Sequence, residues 1–321
     1  MIKNNRNESI FNIIFAIIFG SLMIYGYGIV GEFIYIFQLL PFLILLLNDG
    51  IKAWALSLVI SLAVQVLFFD YLTISYLALA IGLVSLYVGW AVKRNKNIYE
   101  ILLNATLIKV ILFGAYLYAI RELGQVDIVA IARESVDYFI SSVHDQLASS
   151  IDITQDQVSA FMVQLNKIIN DMLVIIPAIT FVFTYICVSI AVIASLYIWR
   201  RSGSNHRYMT KLNIFGGQVD LKIFIALSLI TSLVLTLFNF RYTDFVLQNL
   251  AFVIASFLFI NGLFVLDFYL ERRGKMLMRF ILPVLLIFFL GYYTVYIILG
   301  AMDLIFNLRR RILINENRIN K

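Results

Sequence analysis

Lys109 is the residue around which chemistry could be built in this chain. It stands in the middle of a long apolar run, too deep for its ammonium to reach a headgroup easily. A charge at such a depth costs roughly 2.5 to 3.5 kcal/mol on insertion scales, so it requires a partner or a wet cavity. Two readings stay open. Lys109 either anchors an anion or carboxylate in a cavity, or pairs with Asp70, Glu32 or a polar helix neighbour to hold helices together. A second polar feature lies in the run 51–69, where Ala53, Ser57, Ser61 and Gln65 recur at four-residue steps. That spacing aligns small and polar side chains on one helix face, and Gln65 is the deepest polar group on it. Ala78, Gly82, Ser85 and Gly89 repeat the device in the next run, and Ala16 and Gly20 form a small-xxx-small pair in the first. Asn261 and Asp267, and Asp303 and Asn307, are further polar residues in otherwise apolar runs.

Other chemistry is poorly provided for. The chain contains no Gly-x-x-x-x-Gly-Lys phosphate loop. Its two histidines, His144 and His206, are far apart in sequence and make no His-x-x-x-His pair for a metal. Cys187 is the single cysteine, so no internal disulfide can form. A serine nucleophile would find only Lys109 as a base within the apolar runs. The expectation is a protein without enzymatic activity, cofactor or metal.

What must position these residues is a set of membrane helices. Hydrophobic residues make up 62% of the 321, against 14% charged, which excludes a water-soluble fold. The net charge of +6 comes from short basic clusters beside apolar runs, a pattern that orients membrane helices rather than one that binds nucleic acid. About 20 apolar residues cross ~30 Å of hydrocarbon as helix. The runs 10–30, 33–47, 51–69, 71–92, 101–120, 172–199, 221–240, 245–270 and 280–308 are therefore read as spans. Their length and unbroken hydrophobicity exclude barrel strands, so the fold class is all-α membrane, a multi-pass cell-membrane protein. The first run is too long for the apolar core of a cleavable signal.

Lysine and arginine place the N-terminus in the cytoplasm. Lys52, Lys93, Arg94, Lys96, Arg200, Arg201, Arg272 and Arg273 then all fall inside. The end of the chain breaks this bias. A ninth crossing would put Arg309, Arg310 and Arg311 outside, whereas two half-length helices turning near Gly291 would keep the tail 309–321 inside.

The polar stretch 121–171 carries eight acidic and three basic residues and forms an extracytoplasmic helical hairpin. Val129, Ala132, Val136, Phe139, Val143 and Leu147 recur at helical steps in its first arm. Thr154 and Gln157 form a capping box that starts the second, whose apolar face runs through Val158, Phe161, Met162, Leu165, Ile168 and Ile169 into the span containing Pro177.

The phrase from Leu299 to Arg310, with Gly300, Asp303, Phe306, Asn307 and Arg309, resembles the ending of the YybS-type predicted membrane proteins, a bacterial family of unassigned function. The capped helix leading to Ile175, Ile176, Pro177 and Ala178, and the Asn261–Gly262 step, resemble the same family. Asn307 stands where an acidic residue is usual, and Gly216, Gly217 and Gln218 replace a Trp- and Pro-containing phrase. The resemblance implies a distant relation to the substrate-capture components of energy-coupling-factor transporters. It implies a six-span bundle, 1–200, including the hairpin 121–171, then a cytoplasmic loop, 201–220, and additional C-terminal helices, 221–308. A solute pocket would draw on Glu32, Gln65, Asp70 and Lys109 with the hairpin as lid, and Ala16 and Gly20 would dock a coupling subunit. The alternative is a membrane scaffold or regulator that recruits another membrane protein through the hairpin and the basic loops.

Overall fold

The computed structural model of the protein describes residues 29–148, 155–201, 218–238, 240–273 and 293–309, with residues 10, 13, 14, 16–18, 278, 311 and 312. Among them every regular element is a helix. The order is α1 (Ile29–Asn48), α2 (Ile51–Gln65), α3 (Tyr71–Lys93), α4 (Ile98–Gly124), α5 (Ile128–Ala148), α6 (Gln155–Arg201), α7 (Gln218–Leu237), α8 (Thr243–Arg272) and α9 (Tyr293–Phe306). Four of them, α3, α4, α6 and α8, are each long and apolar enough to cross a membrane. The protein is a polytopic helical membrane protein.

Local signals set the helix ends. Asp70 caps α3, its Oδ1 accepting from the amides of Leu72 at 2.9 Å and Thr73 at 3.0 Å, and Asn97 caps α4 through the Tyr99 amide. These side chains satisfy donors that the first turn leaves open. Gln125 ends α4 in the left-handed region. The expected span 51–69 is shorter as a helix, because the chain leaves α2 at Gln65 and turns through 66–69. The span expected at 10–30, the Thr154 cap and the turn near Gly291 fall outside the described residues, apart from a few positions in the first.

Cross-contacts give the relative directions. Tyr35 OH donates to Ala80 O at 2.9 Å and Leu46 packs on Gly89, so α1 and α3 run parallel. Trp54 Nε1 donates to Ser85 Oγ at 2.9 Å and Leu58 meets Gly82, which sets α2 antiparallel to α3. The pairs Thr73–Tyr116 and Tyr87–Asn104, each at 2.9 Å, set α4 antiparallel to α3. Ala178 meets Asn249 while Tyr185 meets Phe257, so α6 and α8 are parallel. The C-terminal ends of α3 and α8 carry one repeated device, an arginine stacked on the aromatic ring one turn earlier: Arg94 on Trp90, Arg272 on Phe268 and Arg273 on Tyr269. Such pairs hold a cation at headgroup level. From Trp90 back to Tyr71, and from Tyr269 back to Asn249, is about 30 Å of helix, one hydrocarbon thickness.

On the same scale, 47 residues make α6 about 70 Å long, so its first 20 or so stand well clear of the hydrocarbon. α5 packs against this protruding part. The expected hairpin is present, and its second arm continues unbroken into a span. Val136, Val143 and Leu147 of α5 and Met162, Leu165 and Ile169 of α6 are half-buried and Val158 is buried, so part of the expected stripes packs inward; Phe139, Phe161 and Ile168 are exposed instead.

The core lies between α1, α3, α4 and α6, where Leu39, Phe42, Val84, Ile101, Val188 and Ala191 are fully enclosed. α8 packs on α6, and α7 and α9 pack on α8. α8 and α9 touch backbone to backbone: a Cβ at Gly262 would overlap the Tyr296 carbonyl, and one at Gly300 the Leu258 carbonyl. Larger residues would hold the helices apart.

Candidate functional site

Lys109 lies inside the bundle, only 2% exposed, with its Nζ 3.6 Å from the centroid of the Tyr35 ring. A cation over a desolvated aromatic face gains roughly 2 kcal/mol, comparable to part of the cost of its depth. The ring is held in turn, because Tyr35 OH donates to the Ala80 carbonyl. One lysine on α4 is thus tied to α1, and through α1 to α3.

Further polar side chains occupy the same level. Tyr35 lies 13 residues from the end of α1, Gln65 14 from the start of α2 and Lys109 11 from the start of α4, about 17 to 21 Å in from the end that carries Trp90 and Arg94. Gln38, one turn from Tyr35, is fully buried, as are Gln65, Ser61 and Thr106, the last one turn from Lys109. Gln65 Nε2 donates to Ser61 Oγ at 3.4 Å. The expected stripe on α2 is therefore real, with Ser57, Ser61 and Gln65 turned inward. An ammonium, two amides and hydroxyls at one depth can hold an anionic or hydrogen-bonding group.

The four expected pocket residues are placed differently from one another. Lys109 and Gln65 share the buried level. Asp70 does not face it: it is exposed at the start of α3, where its Oδ2 also accepts from Thr73 Oγ1 at 2.7 Å. These hydrogen bonds, the Thr73 amide foremost, hold its carboxyl below the ordinary carboxylate value. Glu32 belongs to α1, with its side chain outside the described residues. Ala16 is fully buried within the bundle's own core, and Gly20 falls outside the described residues. Tyr35 and Gln38 join the level without having been expected there. Gln38 is nonetheless legible, since it is the one amide or charge between Glu32 and Asn48 in an otherwise apolar helix.

A second buried polar cluster joins α8 to α9. Arg309 Nη2 and Nε donate to Asp303 Oδ2 at 2.7 and 2.9 Å, and its amide donates to Asp303 Oδ1 at 3.1 Å. Nη2 also donates to Asn261 Oδ1 at 2.7 Å, while Asn261 Nδ2 donates to the Gly300 carbonyl at 3.0 Å. Asn307, at φ 51°, lets the chain double back after α9 so that Arg309 returns to Asp303. Asparagine tolerates this left-handed conformation. Asn261, Asp303 and Asn307 stand out in the sequence as polar residues in apolar runs, whereas Arg309 reads there as part of a basic tail. Asp267 is half-buried on α8.

A third device sits at Pro177. Ala178 N donates to Asn249 Oδ1 and Asn249 Nδ2 donates to the Val174 carbonyl, both at 2.9 Å. In an uninterrupted helix these two backbone groups would bond each other. The proline disturbs that turn, and the amide of α8 serves both ends. Among the described residues, no group of three or more His, Cys, Asp or Glu side chains is arranged to hold a metal.

No curated protein and no solved structure matches the chain. A family profile described as a predicted membrane protein matches residues 13–304, nearly the whole of it. With the helical bundle, the buried lysine and most of the Asn261–Asp303–Arg309 cluster inside that stretch, the chain belongs to the DUF2232 family of predicted membrane proteins.

Proposed function

We propose that this protein binds a small solute within the membrane, or assists its passage, and does so without enzymatic activity or an ATPase of its own. The observation that carries this reading is Lys109: a cation held at mid-depth on Tyr35, at one level with buried glutamines and hydroxyls. A membrane bundle that needed only packing would fill this level more cheaply with leucine. An ammonium there suits an anionic group such as a carboxylate, with the amides of Gln38 and Gln65 fixing its orientation. Because Lys109 is enclosed, this is a closed arrangement, and a solute would enter as α1 and α4 part. The YybS-type resemblance and the distant relation to substrate-capture components belong to the same reading, as does a coupling subunit that would lend its ATPases. So does a cytoplasmic N-terminus, since the ends of α3 and α8 gather Lys93, Arg94, Arg272 and Arg273 on one side.

The test is mass spectrometry of small molecules that co-purify with the full chain in nanodiscs, comparing wild type with Lys109→Met. A solute retained by wild type and reduced at least about tenfold in the variant is expected, the equivalent of one lost charge-assisted hydrogen bond. Equal recovery in both, or partner proteins recovered with no small molecule, overturns the reading. The second reading, a membrane scaffold, is favoured by large apolar side chains exposed on both arms of the hairpin.

A further inference from the structure

The hairpin of α5 and the protruding part of α6 buries only part of its apolar surface and leaves large apolar side chains exposed on both arms. Ile131 and Tyr138 on α5, and Phe161 and Ile168 on α6, are 52%, 76%, 47% and 51% exposed. Each pair is spaced by seven residues, the repeat with which one helix meets another along a seam. Side chains of this size, clustered in a part of the molecule that water should surround, mark an interaction surface.

Charge decides what fits there. The stretch 121–171 carries eight acidic and three basic residues; beside the seam Glu134 and Asp137 are exposed next to Tyr138, Asp156 before Phe161 and Asp171 after Ile168, against the exposed cations Arg133 and Lys167, so its balance is acidic. An anionic lipid surface is repelled by such a hairpin, and the tips of the arms stand about 30 Å above Pro177. A second copy brings the same negative charge to the seam, and like charges flanking a helical seam oppose pairing. We infer that the hairpin is a two-helix acceptor for a third helix, supplied by a partner protein, that is amphipathic with heptad-spaced apolar residues and basic flanks. This surface is separate from the Lys109 level and stands whether or not a solute binds there.

The experiment uses the full chain in zwitterionic nanodiscs and a fluorescent peptide of about three heptads, with leucine at the two seam positions of each heptad and lysine beside them. A scrambled peptide of the same composition is the control for charge alone, and empty nanodiscs correct for lipid binding. The seamed peptide is expected to bind at least about tenfold more tightly than the scrambled one. That preference should be lost in Tyr138→Ser/Phe161→Ser, two exposed positions whose replacement leaves the bundle intact, and kept in Lys109→Met. Equal binding of the two peptides, or an undiminished preference in the double variant, overturns the proposal. Native mass spectrometry of the protein alone adds one more outcome: a dimer that disappears in the double variant assigns the seam to a second copy and also overturns it.

Discussion

Arg309 and Asp303 form an ion pair at 2.7 Å in which the aspartate side chain is fully buried and the arginine side chain is 5% exposed. Six residues separate them in sequence, and Asn307 folds the chain back to bring them together. Removing one partner leaves the other charge buried and costs about 3 to 5 kcal/mol, whereas replacing both with apolar residues is close to neutral. Asp303→Asn and Arg309→Met should each lower the unfolding midpoint in detergent by a large and similar amount. Asp303→Leu/Arg309→Met should recover most of it. A double variant as unstable as the singles would mean that Asn261 and the Gly300 carbonyl depend on the pair.

The same residue speaks to the side on which the chain ends. Arg309 is bound to Asn261, eleven residues before the basic end of α8, and the further cations Arg310, Arg311, Arg318 and Lys321 follow it in the sequence. Short clusters of cations are retained in the cytoplasm, which makes a tail inside, rather than a ninth complete crossing, the expectation. A single cysteine at Arg318, in a Cys187→Ser background, should be labelled by a membrane-impermeant maleimide only after permeabilisation. Labelling of intact cells would place the tail outside.

Asn249 replaces a backbone hydrogen bond that Pro177 disturbs, which makes two residues from different helices dependent on one another. Asn249→Ala leaves the Val174 carbonyl and the Ala178 amide without this partner, at about 1 to 3 kcal/mol each. Pro177→Ala allows the helix to bond these groups itself. The combination Asn249→Ala/Pro177→Ala should be markedly more stable than Asn249→Ala alone, and hydrogen exchange at Ala178, raised in the single variant, should fall again. Additive destabilisation would refute the dependence.

Asp70 sets an acid limit on the start of α3. Its carboxyl titrates lower in the folded protein than the ordinary 3.8, so its contribution is complete above that value and is lost as pH falls through the lower, folded value. Asp70→Asn, also a good cap, should keep the helix start while removing this acid dependence. Asp70→Ala should cost about 0.5 to 2 kcal/mol at neutral pH. Unfolding followed from neutral pH down to about pH 2.5 separates the three proteins, since that range spans the carboxylate values. An unchanged acid slope in Asp70→Asn would assign it to other carboxylates.

Much of this molecule is legible in the order of its residues, for physical reasons that act locally. Unbroken hydrophobicity forces helices, because a backbone in hydrocarbon must satisfy its own hydrogen bonds. The four-residue steps of Ser57, Ser61 and Gln65 fix which face of α2 turns inward, and the amphipathic stripes of 121–171 announce two helices that pair. Lys109 betrays itself as interior by the cost of any other position. What sits beside it is undecided at that level, because aspartate, glutamate and a tyrosine ring are all chemically acceptable partners and the neighbours it meets depend on how α1 and α4 are assembled with α3 and α6. That assembly puts the Tyr35 ring against Lys109 and brings Gln38 to the same level, while Asp70 is taken by its own helix start. Arg309 reads as one more tail cation until the left-handed turn at Asn307 returns it to Asp303. Periodicity and hydrophobicity are properties of neighbouring residues, so sequence determines them; the pairing of residues far apart along the chain is settled by which helices touch, and tertiary structure alone decides it.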